Sequence, residues 1–473
     1  MGRHREIWIW LFFLTFLFVL PLASSAYSDD GPVVSYTTET LLIRGDNISM
    51  PEGIHLVGNG TPEDPYYIDS VWINNSGGPG VVINGSSRHI ILRGFIVTNS
   101  IWARADGFFI SNSTNITIVD TMVQGCYIGL HIDNSSDIQV VGSDLSGNRY
   151  GILMRRSPGI AVTDCTASGN LIDGFYVERS EKCIISFCQL ISNSARISND
   201  AAIRVIRSSH TIIQGCEIRM NYGTGIYLQG PMRFCTILDC DINYNNEGMV
   251  LQAISDIRVQ GIEFGIDMKA MEMLDVENCS FSDCMVYRNG EGVSMENVTG
   301  CTLKRFEFIG SGYGVRLTSS HDNLLVENTF TGSKSFDMMI GSPEDPSLSS
   351  DGNRIFSNLF QKDAKNLPSV HDNGNDNLWH HQGQGNTWSG WEWDDKDGDL
   401  IADSPFEING TAGSKDMFPT SDLAPRMIDG TNEVIDTSEN GEEGYYWYIF
   451  IGVLVIFTLL SVIVLLKKDR SNG

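Results

Sequence analysis

GLHIDNSSDIQVVGSDLSGNRYGILM, residues 129 to 154, holds one full period of the chain and the start of the next. Gly129-Leu-His-Ile and Gly151-Ile-Leu-Met both place apolar residues second and fourth, the period-2 alternation of a strand with one buried face. The same tetrad recurs from Gly107, Gly174, Ala202, Gly225, Gly248, Ala270, Gly292, Gly314 and Asp337, at intervals of 22 or 23 residues with one of 28. A second column, Val123, Leu145, Ala167, Leu190, Ile218, Ile242, Phe264, Val286, Phe308 and Phe330, is apolar throughout. A third is polar: Asn148, Asn170, Asn193, Asn221, Asn245, Asp267 and Asn289, whose side chains can hydrogen-bond one above another. Three columns in phase over eleven units exclude an antiparallel meander. They predict an all-β solenoid of at least eleven coils whose strands form parallel sheets, each coil burying its core only against its neighbours.

The ends of the chain carry different signals. Arg3 and Arg5 precede the apolar run Ile7 to Leu20, and Ala23-Ser-Ser-Ala26 supplies small residues for cleavage, so residues 1–26 read as a removed signal peptide. Tyr445-Tyr-Trp-Tyr448 leads into apolar Ile449 to Leu466 and then Lys467, Lys468 and Arg470. That is one C-terminal transmembrane helix over 445–466 with an interfacial aromatic belt, and its basic tail, 467–473, lies in the cytoplasm. The expected organisation is an N-terminal cap and opening segment (27–79), the β-helix (80–362), a C-terminal cap (363–420) and an acidic stalk (421–444). The protein is thus expected at the cell membrane, single-pass type I, with an extracellular ectodomain. Ten glycosylation sequons, at Asn47, Asn59, Asn74, Asn84, Asn112, Asn115, Asn134, Asn278, Asn297 and Asn409, fit that placement. A formal charge of -26 repels phosphate backbones and excludes nucleic acid as a partner.

These columns resemble the right-handed parallel β-helix proteins, the architecture of pectate lyases and of the NosD-type β-helix repeat family. The resemblance runs from about Gly80 to Phe360. Gly58-Asn-Gly-Thr-Pro-Glu-Asp-Pro-Tyr-Tyr-Ile68 is similar to the opening segment of secreted archaeal members of that family. Asn375-Asp-Asn-Leu-Trp379, Gly385-Asn-Thr-Trp388 and Asp395-Lys-Asp-Gly-Asp399 through Phe406 are similar to their closing segment. The family name implies copper handling, although many relatives are surface proteins without that role.

Asp395, Asp397, Asp399 and Asp403 occupy positions 1, 3, 5 and 9 of a loop, a spacing that aims oxygen ligands at one Ca²⁺. Leu400 stands where such loops place Gly, and position 12 carries no Glu, so backbone carbonyls and water would complete the shell. The expected role is structural, pinning the cap over a coil that would otherwise expose a sheet edge. The alternative is a solvated acidic turn. Of the ten cysteines, Cys165, Cys188, Cys216, Cys240 and Cys284 share one column and Cys183, Cys235, Cys279 and Cys301 another, while Cys126 falls in neither. Column neighbours about 4.8 Å apart with parallel Cβ bonds make poor disulfides, so buried stacked thiols are expected. Met268, Met271 and Met273 have thioether spacing for Cu(I), but Met271 and Met273 fall in inward columns. His380-His381, with His371 nearby, is the other candidate for copper.

Outward positions of the first strand define a candidate ligand groove: His131, Tyr176, Arg204, Tyr227, Glu272 and Arg316, at about one coil rise per sugar residue of a polysaccharide. The expected partner is a glycan or another cell-envelope component. The competing class is a polysaccharide lyase, hydrolase or epimerase. Its weak catalytic candidates are Asp133 and Glu178, two coils or about 9.6 Å apart, with Arg155 between them. An arginine there would hold both carboxylates ionised and remove the needed acid. Binding without catalysis is therefore the favoured expectation.

Overall fold

The computed structural model describes residues 35–420 apart from 46, 76, 100–103, 195–199, 343, 362–368, 392 and 397. Three faces of parallel sheet wind into a right-handed solenoid of about 12 turns. The front sheet has 15 strands, the second 13, and the third face is a sheet of four at the N-terminal end followed by one of nine. One coil runs through Ala201–Ile206, Ile212–Gln214 and Glu217–Arg219 before the chain returns to the front sheet at Thr224.

The period-2 alternation read from the sequence is the alternation the coils use. Ile203, Ile226, Met249, Met271, Val293, Val315 and Met338 pair rung to rung along the front sheet, all pointing inward. Each is at most 1% exposed. The second apolar column lies on the third face, where Phe308, Phe330, Phe360 and Trp388 stack ring on ring at 4.6–4.9 Å. Such continuous stacks add about 0.5–1.5 kcal/mol per pair beyond the area they bury.

Polar ladders seal the corners between faces. Asn148 Oδ1 accepts from the Cys126 amide at 2.8 Å, and the pattern repeats from Asn148 to Asn170, Asn193, Asn221, Asn245, Asp267 and Asn289. Cys126, outside both thiol columns, thereby heads this ladder. At another corner serine hydroxyls do the same work, Ser86 to Ser113, Ser135, Ser157, Ser180 and Ser208. Each ladder satisfies buried backbone donors that no sheet reaches.

The segments flanking the repeats join the same stack. Leu41–Arg44 pairs with Val81–Asn84 in the front sheet, and Val370–Asp372 pairs with Phe336–Ile340 at the other end. The expected signal peptide (1–26), stalk (421–444), membrane span (445–466) and tail (467–473) lie outside the described residues. Among the described residues no helix is long and apolar enough to cross a membrane.

Candidate functional site

The front sheet brings all six groove residues into one outward line. Phe109, His131, Leu153, Tyr176, Arg204, Tyr227, Val250, Glu272, Ser294 and Arg316 are consecutive register partners. The line is not a row of free ligands, because most of its polar members are already engaged. His131 Nδ1 lies 2.8 Å from Asp106 Oδ2, Arg204 Nε 3.1 Å from Asp173 Oδ2, and Arg316 Nη1 3.7 Å from Glu291 Oε1. Glu272 takes the Lys269 ammonium, and Tyr227 donates from its hydroxyl to Gln252 Oε1 at 2.7 Å.

The first three pairs obey one rule that sequence reasoning missed. An acid immediately before the apolar tetrad of one coil reaches the third residue of the tetrad in the next. Asp173 is the most buried of these acids, and burial pushes its carboxyl up to about 6 against the lowering pull of Arg204. The Ala201 amide donates to its Oδ1 at 2.7 Å. The signal was present in Asp106-Gly107, Asp173-Gly174 and Glu291-Gly292, acids that directly precede a coil start.

The weak catalytic candidates stand where the register placed them, with Asp133, Arg155 and Glu178 on successive rungs. Arg155 Nε pairs with Glu178 Oε2 at 3.1 Å. Asp133 is held on both oxygens by Arg156 Nη2, at 2.5 and 2.7 Å. Each carboxylate therefore has its own guanidinium.

Around the corner from this face is an open cleft of about 400 Å³ lined by Ser86, Ser87, Asn112, Ser113, Asn134 and Arg156 among others. Its rim is a second side-chain ladder: Asn112 Nδ2 donates to Asn84 Oδ1 at 3.1 Å and Asn134 Nδ2 to Asn112 Oδ1 at 2.7 Å. Two sequon asparagines thus use their amide nitrogens on their neighbours. Ser86 and Ser113 are buried in the serine ladder, and the groups that reach water are Ser87, Thr114 and Ser136 with Asn112 and Asn134, which suit a hydrogen-bonding polymer better than an apolar small molecule.

In the acidic loop, Asp397 lies outside the described residues. The other three acids turn onto the loop's own amides: Asp395 accepts from Gly398 and Leu400, Asp399 from Ile401, and Asp403 from Lys396. The cap is held by other groups. Asp416 Oδ2 ends a further asparagine ladder, Asn328, Asn358 and Asn386, by accepting from the Asn386 amide at 2.7 Å and also takes Trp388 Nε1 at 3.0 Å. Asp372 ends another, taking Asn377 Nδ2 at 2.8 Å and Trp379 Nε1 at 2.9 Å. Both indoles are fully buried, so each carboxylate ties a ladder to an aromatic plug.

The ten cysteines are all free and buried. Burial pushes the Cys126, Cys183 and Cys284 thiols up to about 12 and Cys235 up to about 11. Their S–H groups donate to carbonyls within the stack, as from Cys188 to Ser186 and from Cys284 to Ser282, both at 3.3 Å. Met271 and Met273 are fully buried. His371 packs on Phe336, His380 on Phe418 and His381 on Phe356. Among the described residues no three of His, Cys, Asp or Glu are placed to share a metal ion. The described residues therefore do not fit a copper centre.

The family model described as "Periplasmic copper-binding protein (NosD)" matches residues 57–233 and 231–392. No curated protein matches the chain. Among solved structures, the periplasmic alginate epimerase AlgG shares 12% identity over 60% of this chain and 79% of its own, with a TM-score of 0.39. The A-module of the Azotobacter vinelandii mannuronan C-5 epimerase AlgE6 shares 14% over 60% and 83%, with a TM-score of 0.36. The catalytic unit of a thermostable GH87 alpha-1,3-glucanase from Streptomyces thermodiastaticus strain HF3-3 shares 12% over 71% and 70%, with a TM-score of 0.40.

Proposed function

The chain belongs to the NosD family, and we propose that this member is a membrane-anchored extracellular β-helix that binds a linear glycan of the cell envelope without chemically altering it. The observation that carries this reading is the polar cleft of about 400 Å³ running across successive coils at the Ser86 to Arg156 corner. Its accessible groups, Ser87, Thr114 and Ser136 beside Asn112 and Asn134, repeat at the coil rise of about 4.8 Å, close to the length of one sugar residue, so one chain of sugars would meet similar donors and acceptors at each step. The signal peptide and the 445–466 span supply the proposed anchor and topology. The Asp395, Asp397, Asp399 and Asp403 loop is the proposed structural Ca²⁺ site, where the ion would take over carboxylates that now accept from loop amides.

One observation weighs against the competing reading, a lyase, hydrolase or epimerase acting through Asp133, Arg155 and Glu178. Asp133 and Glu178 are each clasped by an arginine, so neither carboxylate stands free to flank a scissile bond. Copper handling lacks a fitting donor set, since the soft column of Cys165, Cys188, Cys216 and Cys240 is at most 2% exposed. The test is retention of the full-length chain, in detergent, on a panel of immobilised polysaccharides, compared with Ser87→Trp. Ser87 is exposed in the cleft, so the indole would fill it. Retention lost in the variant supports the assignment; equal retention removes the cleft as the site.

A further inference from the structure

The corner that holds the cleft changes character as it continues along the helix. The residue after each front strand adopts the left-handed backbone conformation, and the column reads Gly85 (φ 73°), Asn112 (49°), Asn134 (49°), Arg156 (50°), Arg179 (50°) and Arg207 (50°). Backbone bonds keep the column in phase: Asn134 donates to the Arg155 carbonyl, Arg156 to Glu178, Arg179 to Ile206 and Arg207 to Gln229. Glycine and asparagine are the inexpensive residues for this conformation, whereas other L-residues cost roughly 1–2 kcal/mol there. Three successive coils nevertheless carry arginine.

The three guanidiniums differ in what they meet. Arg156 is bound to Asp133. Arg179 and Arg207 are both exposed, and among the described residues neither forms an ion pair or a side-chain hydrogen bond. Arg179 has Glu181 two residues on, but Glu178 is committed to Arg155. Two unpartnered cations of the same sign thus stand on adjacent coils, about 4.8 Å apart at the backbone, in a chain with a net charge of -26. Stacking them costs repulsion that neutral residues would avoid, and a bound anion at each would reverse the sign of that term.

Resting on the glycan reading above, we propose that Arg179 and Arg207 select a linear acidic polysaccharide. Successive carboxylate or sulfate groups of the polymer engage the two guanidiniums while its neutral hydroxyls lie along the Asn and Ser cleft. Arginine presents a planar fork that takes either anion in two parallel hydrogen bonds. One charge per sugar matches one cation per coil.

The test compares the wild-type full-length chain in detergent with the Arg179→Asn/Arg207→Gly double variant on polygalacturonate, a sulfated galactan and a neutral glucan. Asparagine and glycine already occupy this column at Asn112, Asn134 and Gly85, and glycine at 207 avoids a new sequon with Ser208-Ser209, so the variant keeps the corner's backbone, which an unchanged Tm checks. The expected result is that affinity for an acidic polymer falls by about tenfold or more in the variant, with weaker binding at high salt and no change on the glucan. The carboxylated and sulfated arms show which anion is preferred. Equal binding of the acidic polymers by the variant and the wild type overturns the inference while leaving the glycan reading standing. Binding of none of the three polymers by the wild type overturns both. Equally strong binding of single-stranded nucleic acid through the same arginines shows unselective polyanion capture and also overturns the assignment.

Discussion

Arg204 and Asp173 form a buried diagonal pair across the one 28-residue coil, with Nε 3.2 Å from Oδ1 and 3.1 Å from Oδ2. The Arg204 side chain is 15% exposed and that of Asp173 2%, so the pair lies where removing one partner strands the other. Arg204→Ala is expected to destabilise the fold by about 3–5 kcal/mol, read as a lower Tm and a lower denaturant midpoint. The double variant Asp173→Asn/Arg204→Met should recover most of that loss, because a neutral pair of similar size removes the stranded charge. A single variant as stable as the wild type would show that the pair is idle.

Asp267 is the acidic rung of an asparagine ladder. Its Oδ1 accepts from the Asn245 amide at 2.6 Å, Oδ2 has no hydrogen-bond partner among the described residues, and burial pushes the carboxyl up to about 8. A raised carboxyl favours the protonated folded state, so its contribution is complete below the unfolded value of 3.8 and is lost as pH rises through about 8. Asp267→Asn should remove that slope. Asn221 and Asn245 donate their Nδ2 to Leu190 and Ile218, and the pattern offers Asn at 267 the Ile242 carbonyl. The Tm difference between variant and wild type is expected to grow from pH 5 to pH 9, and a constant difference would rule out titration of Asp267.

The cap depends on Asp416, which gathers the Asn386 amide, the Trp388 indole and, through Oδ1, the Phe418 amide. Asp416→Ala would leave these buried donors unmet at about 1–3 kcal/mol each, before relaxation. Protection from hydrogen exchange should fall first around Trp388 and Phe360 and spread inward, since each coil is stabilised by its neighbour. Unchanged exchange there would mean that another group closes the helix.

If the acidic loop takes Ca²⁺, the wild-type Tm should rise with millimolar calcium and fall back with a chelator, while Asp397→Ala shows neither response. A calcium response that survives the substitution would move the site elsewhere.

The fold was legible because its signal is periodic. Leu130 and Ile132 recur in phase with Ile152 and Met154, and a one-residue slip would turn every such side chain outward. The groove line was legible for the same reason, since register alone places Tyr176, Arg204 and Tyr227 on consecutive rungs. What the line does was not. The partners of His131, Arg204 and Arg316 sit in the previous coil, 25 or 31 residues back, and the long coil hides the common spacing. Arg179 and Arg207 were passed over because a strand pattern attends to alternation, whereas they stand at the corner, one residue past it.

The most direct test of glycan binding without catalysis is to incubate the full-length chain, with calcium in the buffer, with the acidic and neutral polysaccharides that it retains, following new reducing ends and unsaturated uronate absorbance. Retention with no product in either channel is the predicted result. Product from any retained polymer would contradict it and direct mutagenesis to Asp133, Arg155 and Glu178.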